Sequence, residues 1–311
     1  MQPLAVARNA MATRFEVVLH GDNPVRLRAA AEEALDEIDR LDAALSFHLP
    51  SSQIAQVNAR AARAPVPVSA EVFELLQRCG QLTAETGGAF DITLAPLLRC
   101  WKFIGATGAT PTDADIAAAL DCTGWRHVEL DEAASTVRFR RSGVQLDLGA
   151  IGKGYALEIA AQRLRELGMS HALIHGGTST ACAFGVQPDG RPWRIAIEHP
   201  DSTPAVPVPP LSVVDLLDGS LSVSGVKGKS FIDIEGRTQG HVIDPRTGRP
   251  TQAAQLAAVW LPDATESDAF STALLVDGPA ALPRLCAARP NIRALAASIQ
   301  HQKWNINSVG L

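Results

Sequence analysis

Four short segments of this chain place oxygens, a basic side chain and backbone donors at spacings that suit phosphate and metal chemistry. In Asp268-Ala-Phe-Ser-Thr272 the first and last residues stand four apart, so on a helix they share a face. A carboxylate and a hydroxyl are hard oxygen ligands, suited to Mg²⁺ with waters or phosphate completing an octahedron. A first-turn Asp that stabilises a helix N-terminus is the competing explanation. Gly149-Ala150-Ile151-Gly152-Lys153-Gly154 is a glycine-rich turn between an expected strand and an expected helix. Such a turn can aim backbone N–H groups and a helix dipole at a phosphate, and Lys153 adds a positive charge. It lacks the Gly-Lys-Ser/Thr ending of a Walker A loop and the spacing of a dinucleotide fingerprint, and by itself it reads more readily as a tight strand-to-helix turn. His241 precedes Asp244-Pro-Arg-Thr-Gly248, a turn by composition. The imidazole could act as a general base or simply hydrogen-bond within the structure. Gly87-Gly88-Ala89-Phe90-Asp91 combines a helix stop with an Asp that can cap the following turn.

The elements that must position these groups mix helices and strands without βαβ alternation, which predicts an α+β fold. Residues 13–19 read as a strand, and Asn23-Pro24 as the N-cap and first turn of a helix. That helix carries Leu27, Ala31, Leu35, Ile38, Leu41 and Leu45 on one face. A second helix starts near Ser69 and stops at Gly87-Gly88, and a short one follows Thr112. Strands are expected near 127–130, 136–140 and 144–148, the last running into the glycine-rich turn and a helix to Leu167. Further strands are expected near 172–174, 182–186, 193–197, 220–224 and 256–261, with a Pro/Ser/Thr-rich exposed loop over 199–210 and a helix opening near 266–268. No repeat or clean linker divides the chain; one unit over residues 1–311, or two closely joined lobes, is expected.

The totals narrow the function further. Of 311 residues 46% are apolar and 20% charged, the composition of an ordinary globular protein. The net charge of −5 is dispersed, which argues against a nucleic-acid-binding face. No run approaches the roughly 18–20 apolar residues of a membrane span. Cys79, Cys100, Cys122, Cys182 and Cys286 are odd in number and form no CxxC pair, so neither a disulfide framework nor a zinc site is expected. The N-terminus has no apolar leader core, so a cytoplasmic location is expected, or a periplasmic one if a leader has been removed.

Taken together and in order, these segments resemble the FAD:protein FMN transferase family, the ApbE family, from Met11 to Gly278. Met11-Ala12-Thr13 resembles its Met-small-Thr opening, and residues 46–58 its Ser-x-Tyr-x-x-x-Ser-Glu-Ile-x-x-Leu-Asn segment. Gly88-Ala89-Phe90-Asp91 is similar to its Gly-Ala-Phe-Asp, and Trp101 falls where the family has Trp. Residues 147–156 resemble its Asp-Leu-Gly-Gly-Ile-Ala-Lys-Gly-Tyr-Ala; Gly176-Gly177, Ser224-Gly225, 241–250 and 268–272 complete the set. The family's Tyr aligns with His48 and its acidic residue with Gln53, and Val226-Lys227 replace a frequent Asp-Tyr.

The resemblance implies an ApbE-like mixed sheet with packed helices and a Mg²⁺-dependent enzyme. It would move FMN from FAD to a threonine hydroxyl of an acceptor protein and release AMP. FAD would be held by Met11, His48, Ala89, Phe90, Asp91, Asp147, Lys153, His241 and Ile243. Mg²⁺ would be bound by the Ala150 carbonyl, Asp268 and Thr272, with His241 and Asp268 catalytic. A FAD pyrophosphatase giving FMN and AMP, and a non-catalytic FAD-binding protein, are the alternatives. A nicotinamide dehydrogenase is disfavoured, since no strand–GxGxxG–helix unit with a downstream acid is present.

Overall fold

The computed structural model describes residues 3–226 and 228–311; Lys227 lies outside the described residues. Its frame is an eight-stranded sheet in the order Leu4–Ala10, Thr13–Leu19, Ala172–Gly176, Thr180–Phe184, Gly219–Gly225, Leu256–Leu261, Arg293–Gln300, Lys303–Val309. Every neighbouring pair is antiparallel. The first two strands are joined by Met11-Ala12, both with positive φ (48° and 58°), which is how a two-residue hairpin matches strand twist. The Met11 N–H donates to Asp42 Oδ2 at 2.9 Å, tying the turn to the first helix.

Helices cover one face of the sheet. Helix α1 (Pro24–Leu45) is capped by Asn23, whose side chain accepts the Arg26 N–H, and it buries the six apolar positions expected from its spacing. Helices α2 (Gln53–Arg60) and α3 (Ala70–Glu85) are capped by Ser52 and Ser69. The short α4 (Ala95–Cys100) follows, and α5 (Asp113–Leu120) opens with a Thr112/Asp115 capping box. Helices α6 (Gly152–Glu166) and α7 (Ala264–Asp277) pack on each other and on the sheet, and α8 (Leu282–Ala288) closes that side. The largest apolar cluster lies here, including Phe15, Leu35, Ile38, Leu76, Phe90 and Phe270.

The opposite face is covered by a hairpin of Trp193–Ile197 with Ser212–Leu216. Trp193, Ile197, Val214 and Leu216 pack there against Ala181, Ala183, Leu221, Ala258 and Leu295 of the sheet. A face of helices and a face of strands on one antiparallel sheet is an α+β architecture.

Residues 144–148 are extended but join no ladder, contrary to the strand expected there. Asn58 takes the place of a partner strand: its Oδ1 accepts the Leu146 N–H at 2.7 Å and its Nδ2 donates to the Leu146 carbonyl at 2.9 Å. All five cysteines are free thiols. No helix of the described residues is long and apolar enough to cross a membrane.

Candidate active site

A cavity of about 830 Å³ opens where α6, α7, the sheet and the 193–216 hairpin meet. Its size is that of a small-molecule or cofactor site. His48, Asp91, Asp147, Ala150, Lys153, His241, Ile243, Asp268 and Thr272 all line it. Met11, Ala89 and Phe90 do not: Met11 sits in the hairpin turn, while Ala89 and Phe90 are buried in the main core.

Helix α7 carries Asp268 and Thr272 on one face, as four-residue spacing requires. Asp268 is only 4% exposed, and burial pushes its carboxyl above the ordinary range, against the pull of the Lys153 charge and the Gly154 amide. Its Oδ2 accepts the Gly154 N–H at 2.9 Å, so the carboxylate sits on the N-terminus of α6. A negative group there is favoured by the helix dipole. Ile151, the N-cap of α6, offers no capping side chain.

Glycine at position 154 has a steric cause. A Cβ there would fall 2.2 Å from the Ala264 carbonyl oxygen and 2.7 Å from Asp268 Cβ. The glycine therefore lets α6 and α7 approach closely enough for the carboxylate to reach the α6 amide. The turn before it is held by Asp147, whose Oδ1 accepts the Gly149 N–H at 2.8 Å. Lys153 extends along the same turn, with Nζ donating to the Gly149 carbonyl at 3.2 Å. Lys153, Lys229 and the α6 N-terminus give this end of the cavity the polarity that a phosphate group needs.

His241 lines the same cavity, near enough to Lys153 and Asp147 for their charges to act on it. Its Nδ1 lies 3.1 Å from the Lys229 carbonyl, which can only accept, so Nδ1 carries the proton and Nε2 holds a lone pair. Burial first, then the Lys229 and Lys153 charges, lower its pKa below the ordinary histidine value, outweighing the Lys229 carbonyl and Asp147. That direction favours the neutral imidazole, the form able to accept a proton.

Asp91 borders the cavity, but its oxygens are occupied. Oδ1 accepts the Thr93 N–H and hydroxyl at 2.8 and 2.7 Å, and Oδ2 accepts the Trp125 N–H at 2.9 Å. It organises the loop below the site. The Asp244–Gly248 turn is organised from within in the same manner, with the Gly248 carbonyl accepting from Trp101 Nε1 at 2.8 Å. That contact gives Trp101 its role.

The donor set fits a hard divalent cation: the Asp268 carboxylate and Thr272 hydroxyl, beside Ala150 in the cavity wall. No group of three His, Cys, Asp or Glu side chains able to hold a metal gathers among the described residues. A cation here would have few protein oxygens as ligands and would need phosphate or water to complete its shell.

Sequence reasoning passed over several wall residues. His175, Ser179 and Thr180 come from the Gly176-Gly177 turn and its strands, Lys229 from the segment before His241, and Phe103 from the loop after α4. Gly177 has φ +60°, and a Cβ there would meet Thr13 Oγ1 at 2.4 Å. The Gly-Gly pair was the available signal for a backbone folding tightly into a site.

Residues 11–296 match the ApbE family. The chain belongs to the ApbE family. The FAD:protein FMN transferase of Klebsiella pneumoniae is 33% identical over 259 residues, covering 81% of this chain and 71% of that protein. The Salmonella typhimurium FAD:protein FMN transferase is 30% identical over 274 residues, covering 86% and 77%. Among solved structures, the apo flavinyl transferase ApbE of Pseudomonas stutzeri superposes with a TM-score of 0.84 at 31% identity, covering 99% of this chain and 95% of the other. The ApbE protein of Thermotoga maritima gives 0.85 at 26% identity, covering 95% and 94%. The α+β fold expected from the sequence is thus the ApbE fold, and the family assignment carries a transferase class with it.

Proposed function

We propose that this protein transfers FMN from FAD to a threonine hydroxyl of an acceptor protein, releasing AMP, with Mg²⁺ as the metal. The observation that carries this reading is the convergence of a buried carboxylate on a helix N-terminus, an adjacent lysine and a histidine held by a backbone carbonyl in one cavity. The pyrophosphate of FAD lies at the α6 N-terminus, held by Lys153. His241 Nε2 takes the proton of the acceptor hydroxyl, whose oxygen forms a bond to the FMN phosphorus. The bond from that phosphorus to the bridging oxygen breaks, and AMP leaves with the oxygen. Asp268, Thr272 and the Ala150 carbonyl would hold Mg²⁺, which would supply neutralisation of charge developing on the leaving AMP phosphate. The expected location is cytoplasmic, or periplasmic behind a leader.

Chromatography of FAD incubations with Mg²⁺, with and without a threonine-bearing acceptor domain, tests this reading. Transfer predicts AMP released in step with acceptor consumption and little free FMN. Equal FMN and AMP without acceptor would make the protein a pyrophosphatase. Intact FAD that is nevertheless bound would make it a binding protein.

A further inference from the structure

Thr180 opens the sheet strand beside α7, and its hydroxyl is the unexplained polar group of the cavity. The residue is 3% exposed and lines the cavity, yet its Oγ1 has no hydrogen-bond partner. Its position in the ladder says where it points. Thr180 is the cross-strand partner of Ser222, and partners in a ladder present their side chains on the same face. Ser222 bonds Ser267 of α7 at 2.8 Å, so this face looks toward α7, one residue from Asp268.

The neighbouring hydroxyls are already paired. Ser220 and Ser222 both engage Ser267, and Ser224 engages Ser271 and Thr272 at 2.8 and 3.3 Å. Asp268 is the remaining acceptor nearby. Thr180 and Asp268 line the same cavity, Asp268 following directly on the Ser267 that Ser222 engages. A buried hydroxyl without a partner is costly, and a valine of the same shape would fill the space without that cost. A hydroxyl kept at this point has its partner in the loaded site.

We propose that Thr180 is a positioning residue of the cation site: its hydroxyl donates to Asp268 and fixes the orientation of the carboxylate toward the ion. This rests on the cation site proposed above. Groups that orient metal ligands from behind alter metal affinity by roughly 10–100-fold when removed.

The test is Mn²⁺ titration in the presence of FAD, with free Mn²⁺ read by electron paramagnetic resonance, on wild type, Thr180→Val and Thr180→Ser. Thermal midpoints in EDTA are measured alongside. The expected result is Mn²⁺ binding weakened about tenfold in Thr180→Val and restored within a factor of two or so in Thr180→Ser. The Thr180→Val midpoint in EDTA should equal or exceed that of wild type, which a purely structural hydroxyl would not allow. Wild-type Mn²⁺ affinity in Thr180→Val overturns the assignment, as does equal weakening in the Val and Ser variants. If Thr180→Val does not fold, Thr180→Ala against Thr180→Ser is judged by the same affinity criteria. A wild-type protein that binds no Mn²⁺ overturns the cation site itself, and Thr180's role with it.

Discussion

His241 has a tautomer set by one backbone carbonyl and a proton affinity lowered by burial. Replacing it with glutamine keeps size and polarity but removes the base. His241→Gln should slow transfer by about 10²–10⁴-fold, the usual range for a lost general base. FAD affinity should change only a few-fold; an unchanged transfer rate would remove His241 from this role. The role proposed for Lys153, in the first turn of α6, is through its charge. Lys153→Ala should weaken FAD binding about tenfold, roughly 1.4 kcal/mol, with a larger loss at low salt than at high salt. Titrations at two ionic strengths would expose a purely structural lysine, whose effect would not vary with salt. Asp268 makes a sharper prediction. Its folded pKa is raised by burial, so the folded state binds its proton more tightly than the unfolded chain does. Its contribution to stability is then lost as pH rises through and above the ordinary carboxylate range. In EDTA at pH 7, Asp268→Asn should melt at or above the wild-type temperature, yet Mg²⁺ should no longer raise that temperature. Calorimetry with and without Mg²⁺ reads both effects.

Elements place these residues, and the decisive contact is the crossing of α6 and α7 at Gly154. Gly154→Ala forces a methyl against the Ala264 carbonyl. Overpacking of this kind costs roughly 1–3 kcal/mol, and it should loosen Asp268 from the α6 amide. Denaturant midpoints should fall, and Mg²⁺-dependent turnover should fall more than stability explains. Turnover and stability both at wild-type level would show that the crossing does not set the site. The sequence disclosed much of this scale where local rules govern. Asn23-Pro24, Ser69 and Thr112 announced the starts of α1, α3 and α5, and the structure caps each helix there. The glycines of residues 149–154 announced a turn, though not that Gly154 serves helix packing. Strands with weak intrinsic strand character were harder to see. Arg293–Gln300 is rich in alanine and gains strand character from its neighbours on both sides, not from its own residues. The short helices α2, α4 and α8 have too few turns for a clear period. At the site, type and spacing singled out Asp268, Thr272, Lys153 and His241 and the family resemblance gave them their expected roles; the structure brings all four to one cavity. Thr180 was not singled out, since only the ladder shows that it faces α7.

For the molecule as a whole, the sheet holds the helices on one face and the 193–216 hairpin on the other, with the cavity where they meet. One consequence is the pH dependence of the reaction. Because burial lowers the His241 pKa, kcat/KM should rise with pH through a midpoint below the ordinary histidine value of about 6.5 and level off by neutrality. A midpoint at or above that value would contradict a buried, neutral base. The most direct test of the central claim is the intact mass of a threonine-bearing acceptor domain after incubation with this protein, FAD and Mg²⁺. The account predicts a gain of one FMN less one water, abolished by EDTA and absent when that threonine is replaced by valine. An acceptor of unchanged mass while FAD is consumed, or a gain that survives EDTA, would contradict it.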